Sequence, residues 1–470
     1  MHVVPPPGRL FGNHAVVIGA SMSGLLTARV LASHFHRVTV FDRDELPAGV
    51  ENRKAVPQGR HGHGLLASGF RGLRRLFPAL ERELLDGGAV PGDVIGSVRW
   101  FQHGHYKAKF ASGLDGILLS RPFLETTVRR QVLQIPNVRI DGSTHVVSLV
   151  EDGGRVRGVR IRQGDGPVMR VGANFVVDAS GRASRAPEWL EEMGYERPPV
   201  DEVGIDLNYT SRIYRRRPGD LNGDAGAVLA PKPPHQRRVG FMLAMEGDRW
   251  MVTMGGWLGT KAPVDPEGFV EFSRTLVRPD VYEVISRAEP LGDAVSYVFP
   301  SNLRRRYEQL RRFPGDFLVL GDAMCSFNPL YGQGMSVATL EALTLADCLS
   351  QASSATAVWK RFFRSAAHVV DTPWMIATGG DLAFEGVRGR RTLGVRLVNW
   401  YLGRVHRAAA TDRHVCRAFF DVANLLQPPT SLFKPSVMGR VFRECVALDS
   451  PLTIESDRSI TSAHQMIETH

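Results

Sequence analysis

Cysteine is scarce in this chain, with four residues among 470. Cys325, Cys348, Cys416 and Cys445 show no C-x-x-C spacing, so a disulfide framework is excluded and small buried side chains are expected. Long apolar runs are missing too. No stretch approaches about 18 uninterrupted apolar residues, which argues against a membrane-spanning helix. The N-terminal MHVVPPPGRLFGNH carries three consecutive prolines and no apolar core of the signal-peptide kind. Residues 1–13 therefore read as a flexible leader, and the protein as intracellular and cytoplasmic. Internal repeats and low-complexity tracts are absent.

Acidic residues are the minority charge: Lys and Arg number 58 against 48 Asp and Glu, a net charge of +10. The arginines are scattered, and the denser runs RIYRRRP, RRRYEQLRR and GVRGRR accompany no nucleic-acid motif, so nucleic acid is not expected as a partner. A solvated face, an acidic partner or a cofactor with two phosphates would each suit such a surface. Hydrophobic residues at 43% and charged residues at 23% are ordinary for a globular protein.

What is present is a pattern of strands and helices. VVIGASMSGLLTARVLASHFHRVTVFDRD, from Val16 to Asp44, reads as strand, glycine turn, helix, strand and acid. A polar loop follows, and then Leu73, Leu76, Phe77, Leu80 and Leu84 fall at helical spacing. A helix is predicted from Pro122 to about Leu133, with Ser120 as N-cap. Asp152-Gly153-Gly154 and Gly247-Asp248 carry hairpin-turn chemistry. The strand-rich block gives way to the first pattern again and then to helices. This predicts an α/β fold: one discontinuous dinucleotide-binding domain (14–90, 118–195, 305–365), an inserted antiparallel-sheet substrate domain (91–117, 196–304), and a helical region over 366–470.

The turn after the first strand is a dinucleotide fingerprint with one substitution. Gly19 makes the tight turn and Gly24 lets helix and strand pack closely, while Ser21 stands where glycine is usual. Serine is small, and its hydroxyl could donate to a phosphate at the helix N-terminus. Asp42 ends the second strand about 20 residues on, where an acid meets ribose hydroxyls; Arg43 beside it joins the same set. Two later motifs favour a flavin over a nicotinamide. VVDASGRASR ends a buried strand with Asp178, Gly181 and Arg182. GDAMCSFNPLYGQGM offers Gly321 and Asp322, then Pro329, Gly332, Gly334 and Met335 at a helix start. A carboxylate there can hold a polyol, and exposed N–H groups can meet an anionic ring edge.

These three separated stretches, spanning roughly residues 14–350, resemble the flavoprotein monooxygenases of the para-hydroxybenzoate hydroxylase type. The resemblance implies a Rossmann-like FAD-binding domain, with Asp322 at the ribityl chain and the 332–335 backbone at the ring. LLSRPFLETTV resembles the arginine-led helix of that family, which directs Arg121 to the ADP or ribityl part of FAD. VTVFDRDELPAGVENRKAVPQGRHGHGLLASG and FNPLYGQGMS resemble the actinobacterial flavin epoxidases that act on polyene precursors of polyether antibiotics; squalene epoxidases share a weaker version. This implies a loop over the cofactor in which Arg53, Arg60 and His61 contact FAD or gate the ring. It also implies secondary metabolism, and oxygen insertion into an apolar alkene by a flavin C4a-hydroperoxide. Electrons would come from NAD(P)H directly or through a flavin reductase.

No nucleophilic triad is needed, because the flavin carries the chemistry. The substrate surface is expected on VGFMLAMEGDRWMVTMGGWLG. Phe241, Leu243 and Met245 share one face; Trp250, Val252 and Met254 share parity on the next strand, and which face looks at the flavin is open. His61 and His63 form H-x-H with no third ligand nearby, so no metal is expected. LGVRLVNWYLGRVHRAAATDRHVCRAFFDVANLL reads as helix packed on the substrate domain in preference to a membrane-surface helix. The rival functions are aromatic hydroxylation, flavin-dependent reduction or dehydrogenation of an isoprenoid, and a non-enzymatic flavin redox sensor. The W-x-W-x-I-P stretch of flavin halogenases is missing.

Overall fold

Apolar strands alternating with one-faced helices can bury both only by stacking in layers. The structure, a computed structural model, describes residues 10–448. Five parallel strands lie in the order Phe317–Val319, Phe175–Asp178, Gly12–Ile18, Phe35–Phe41 and Val138–Asp141. In the middle strand Val16 and Val17 pair with Val176 and Val177 on one side and with Thr39 and Val40 on the other. Both faces of the sheet centre are covered, which is why Ala15–Ile18, Phe175–Val177 and Phe317–Val319 are unbroken apolar runs. The helix Met22–Leu31 packs against Gly334–Ser350 and against Arg121–Leu133. Ser120 caps the latter by accepting from the Phe123 amide.

A second, eight-stranded sheet stands beside the first. Its order is Cys325–Ser326, Val295–Arg305, Val200–Arg215, Arg249–Gly256, Arg238–Met245, Gly226–Leu229, Val98–Gln102 and His105–Tyr106. One face is buried under the short helices Pro266–Arg274 and Asp280–Ile285. There Trp250, Val252, Met254 and Met242 pack with Phe269, Val281 and Ile285. Each side chain buried in this way contributes roughly 1.5–3 kcal/mol. The other face carries the cross-strand row Val295, Ser211, Thr253, Phe241 and Val228. Trp100 at the end of that row meets Phe420 of the helix Arg413–Ala423, so the C-terminal helices close over this edge.

Four local expectations are revised. The series from Leu73 to Leu84 forms two helices, Ala67–Leu76 and Leu80–Asp86, because Pro78 lacks the N–H a continuous helix needs. The first strand begins at Gly12, inside the expected leader, because Asn13 and His14 are held by the Asn174 side chain; residues 1–9 lie outside the described part. The helix Val358–Asp381 runs through the expected boundary at 365/366 and keeps Pro373 in its interior, held by buried Phe362, Phe363, Val370 and Ala377. Cys325–Ser326, inside the third motif, joins the edge of the eight-stranded sheet against Leu303 and Arg304. Cys325, Cys348 and Cys416 are free and buried. Among the described residues no helix is long and apolar enough to cross a membrane.

Candidate cofactor and substrate site

The three glycine-bearing stretches meet at one place. Gly19 has φ of +100°, and a Cβ there would lie 2.6 Å from the Ala179 carbonyl oxygen, in the second stretch. A Cβ on Gly24 would lie 1.8 Å from the Gly19 oxygen. The third stretch closes on the first: a Cβ on Gly321 would lie 2.3 Å from Ser23 Oγ. Asp42 sits beneath the turn. Its Oδ2 accepts from the Ala20 amide at 2.6 Å and its Oδ1 from the Asp44 amide at 2.8 Å.

A buried ionic network adjoins the turn. Arg53, only 6% exposed, pairs with Asp42 at 2.6 Å and with Glu125 at 2.8 Å. Burial opposes its charge, and the two carboxylates outweigh burial. Ser21 Oγ donates to Glu125 Oε2 and accepts from Arg121 Nη2, each at 2.8 Å. Burial acts to raise the Glu125 carboxyl, and Arg121 with Arg53 outweighs it, holding Glu125 below the usual carboxylate range. The Ser21 hydroxyl, expected to face phosphate, is turned toward this network because an ionised acid and a guanidinium are stronger partners there. Nε of Arg121 is buried without a hydrogen-bond partner, whereas Nε of Arg53 lies 3.6 Å from Asp44 Oδ2.

The remaining residues divide into two groups. Asp178 is fully buried and spends its carboxylate on its own turn, accepting from the Ser180 amide and the Ser184 hydroxyl. Gly181, with φ of +86°, makes the bend that follows. Arg182 donates to the Ser301 carbonyl and hydroxyl, tying the second stretch to the substrate sheet. Asp322 lies under Gly334, whose Cβ would be 4.0 Å from Oδ1; burial pushes its carboxyl up, opposed by Arg121 and Arg182. Pro329 and Gly332, the latter with φ of +66°, form a tight turn before the helix, and Met335 is buried in its first turn. Arg43 is exposed at the rim.

The H-x-H loop bridges cofactor and substrate sides. A Cβ on Gly64 would lie 3.1 Å from Gly332 Cα, and one on Gly62 would lie 2.2 Å from Phe241 Cε2. His61 is 3% exposed; its Nδ1 shares a 2.8 Å hydrogen bond with Ser211 Oγ. Ser211 and Thr253 hydroxyls are 2.6 Å apart, and Gly62 N donates to Thr253 Oγ1. Burial and then Arg60 lower His61 to about 4, so the ring is neutral. Arg60 and Arg53 line the same cavity of about 510 Å³ as His61 and Tyr297. His63 Nδ1 meets the His61 carbonyl, and no cluster that could hold a metal ion exists among the described residues.

The two halves of the hairpin part company. Phe241 and Leu243 lie on the face that meets the loop, with Met251 and Thr253 as their cross-strand neighbours, and Met245 sits at the far end opposite Arg249. Trp250, Val252 and Met254 point the other way, into the core under the short helices. Their assignment to the substrate surface is corrected: alternation in an antiparallel pair puts the partners of Phe241 and Leu243, not these three, on the loop side.

Residues 13–362 match the FAD binding domain family. The chain belongs to that family. It is an FAD-binding enzyme with a Rossmann-like domain, an inserted sheet domain and C-terminal helices. It is 35% identical over 461 residues to the protein Rv3254 of Mycobacterium tuberculosis, covering 91% of this chain and 93% of that one. It is 24% identical over 350 residues to mitochondrial squalene epoxidase 2 of Arabidopsis thaliana, covering 72% of this chain and 54% of the relative, about half its length. The structure of the flavin-dependent brominase Bmp2 superposes with a TM-score of 0.63 at 16% identity, over 95% of this chain and 100% of that one. The site fits FAD on its own terms: a glycine cradle closed to any side chain, and beside it the buried Arg121 Nε without a partner.

Several further residues at this site stand outside the three motifs. Glu125 stands four residues after Arg121, a helical pair visible in RPFLE. Ser211, Thr253 and Asp381 carry no local signal. Asp381 is wholly buried and accepts from Trp257, Asn302 and Asn328, so it joins the end of Arg249–Gly256 and the strand Val295–Arg305 to the FNPLY turn.

Proposed function

We propose that the protein is an FAD-dependent monooxygenase that places one atom of O₂ on the double bond of an apolar alkene, giving an epoxide. The observation that carries this is the loop-side face of the sheet. Its rows (Val295, Ser211, Thr253, Phe241, Val228; Tyr297, Tyr209; Ile213, Met251, Leu243) contain no carboxylate. His61, which meets this face through Ser211, is held at about 4 and cannot serve as an efficient base for a phenol near neutral pH. An alkene needs no proton removed, whereas an arene hydroxylase gains from activating its phenol.

The residues have separable tasks. The cradle of Gly19, Gly24 and Gly321, with Arg121 and Arg53, would hold the pyrophosphate, and Asp322 and the 332–335 backbone the ribityl chain and ring. FAD, reduced by NAD(P)H directly or by a flavin reductase, supplies the oxygen-transfer chemistry. Phe241, Leu243 and Met251 give the substrate an apolar floor. The Gly62–Phe241 contact seats the H-x-H loop on that floor and excludes water from between them. His61 Nε2 is buried without a hydrogen-bond partner, and the ring lines the same cavity as Arg53 and Tyr297.

The test supplies polyenes and phenols with NADPH, with and without a flavin reductase, under oxygen-18-labelled O₂. The expected product is an epoxide with one labelled oxygen. Labelled phenol alone, or turnover without label, contradicts the reading.

A further inference from the structure

The C-terminal helix Leu393–Ala408 is apolar on two sides. Its inner side belongs to the core: Tyr401 is 3% exposed and Val405 and Ala408 are wholly buried. Its outer side is exposed among the described residues. Leu393 is 83% exposed, Leu397 65% and Trp400 49%. These positions follow the i, i+4, i+7 pattern of one helical stripe. Phe433 and Phe442, both exposed, flank Tyr401 with ring centroids 4.7 and 6.3 Å away. Among the described residues, every exposed phenylalanine or tryptophan therefore lies in this one region. An exposed apolar patch of this kind marks a binding surface.

The charge around the patch says what binds. From Gly386 to Thr411 the chain has six arginines and no Asp or Glu. Arg390 and Arg396 are exposed. Arg396 lies between Leu393 and Leu397 on the outer face, and the Arg404 guanidinium stacks over the Trp400 ring at 3.6 Å. Glu385 precedes this segment and is exposed, and the acids that follow it are engaged. Asp412 caps the next helix and pairs with Arg440, and Glu444 accepts from the Thr411 hydroxyl. Tryptophan and arginine around exposed leucines are the composition of a helix lying in a lipid interface, with rings at headgroup depth and cations on lipid phosphates.

We propose that the outer face of Leu393–Ala408, with Phe433 and Phe442, docks the protein on the surface of an anionic lipid bilayer without crossing it. This is independent of the reaction the flavin performs. Val395, on the same helix, packs against the buried cluster that includes Tyr209, Trp257 and Phe384, as Tyr297 and Leu330 also do. Docking therefore brings that apolar wall toward the lipid.

The test is flotation of the full-length, FAD-loaded protein with phosphatidylcholine vesicles, with or without about 30 mol% phosphatidylglycerol. The protein is expected to float with the anionic vesicles and to stay behind with phosphatidylcholine alone. Arg396→Glu and added salt should each lower the bound fraction several-fold. The double variant Leu397→Glu/Trp400→Glu should lower it about tenfold with flavin absorbance unchanged. Leu393→Glu, at the most exposed position, gives the same reading should the double variant lose its flavin. The proposal is overturned by absence of flotation, by equal flotation of wild type and variants, or by a wild-type dimer in sedimentation that the same variants convert to monomer, since a second copy then covers the face.

Discussion

At Ser21 a single hydroxyl bridges Arg121 and Glu125, at 2.8 Å from each. The substitution that breaks the glycine fingerprint therefore has a partner of its own. Ser21→Ala leaves the Arg121–Glu125 contact of 3.3 Å and removes both hydroxyl bonds. It should weaken FAD binding by about tenfold, measured by flavin fluorescence titration. Ser21→Gly restores the usual residue and loses the same bonds, so its affinity should fall no further than that of Ser21→Ala. A glycine variant far weaker than the alanine one would show that the serine shapes the turn backbone.

The helix Gly334–Ser350 does more than present its N-terminus. Glu341, fully buried, accepts from the Gly321 amide at 2.7 Å and so fixes the strand end that carries Asp322. Burial, outweighing that bond and reinforced by Asp322, pushes its carboxyl up to about 8. The folded state then holds a proton that the unfolded chain releases near its ordinary value. This contribution is present in acid and is lost as pH rises through about 8. Glu341→Gln keeps the acceptor and cannot ionise. Its melting temperature should fall less than that of wild type as pH rises from about 5 to 8; parallel curves would contradict this.

Much at this scale was legible beforehand, for physical reasons. The βαβ start, Gly19, Gly24 and Asp42 were visible because close backbone approach leaves a local imprint. The faces of the 238–256 hairpin were not, since parity tells which residues share a face and not which layer lies beyond it. Trp250, Val252 and Met254 failed on that point. The network at Asp381 was invisible because its partners lie 124, 79 and 53 residues away.

Asp381 acts at the scale of the whole molecule. Its carboxylate gathers Trp257 and Asn302 from the substrate sheet and Asn328 from the flavin-side turn onto the long helix. Burial, partly offset by these donors, raises it to about 6. Its contribution to stability is thus full in acid and is lost as pH rises through about 6. Asp381→Asn replaces an acceptor by a donor and orphans one of three buried N–H groups, at about 1–3 kcal/mol. The variant should melt lower, lose the pH dependence below neutrality and bind FAD more weakly, because the Asn328 turn loosens. Unchanged FAD affinity would separate this hub from the site.

Titration of the purified chain with FAD, wild type beside Gly24→Ala, tests the central claim most directly. Wild type should bind one FAD and turn yellow. The alanine, whose Cβ would lie 1.8 Å from the Gly19 oxygen, should lose affinity by about a hundredfold or more. A wild type that stays colourless, or a Gly24→Ala variant that binds equally well, would contradict the account.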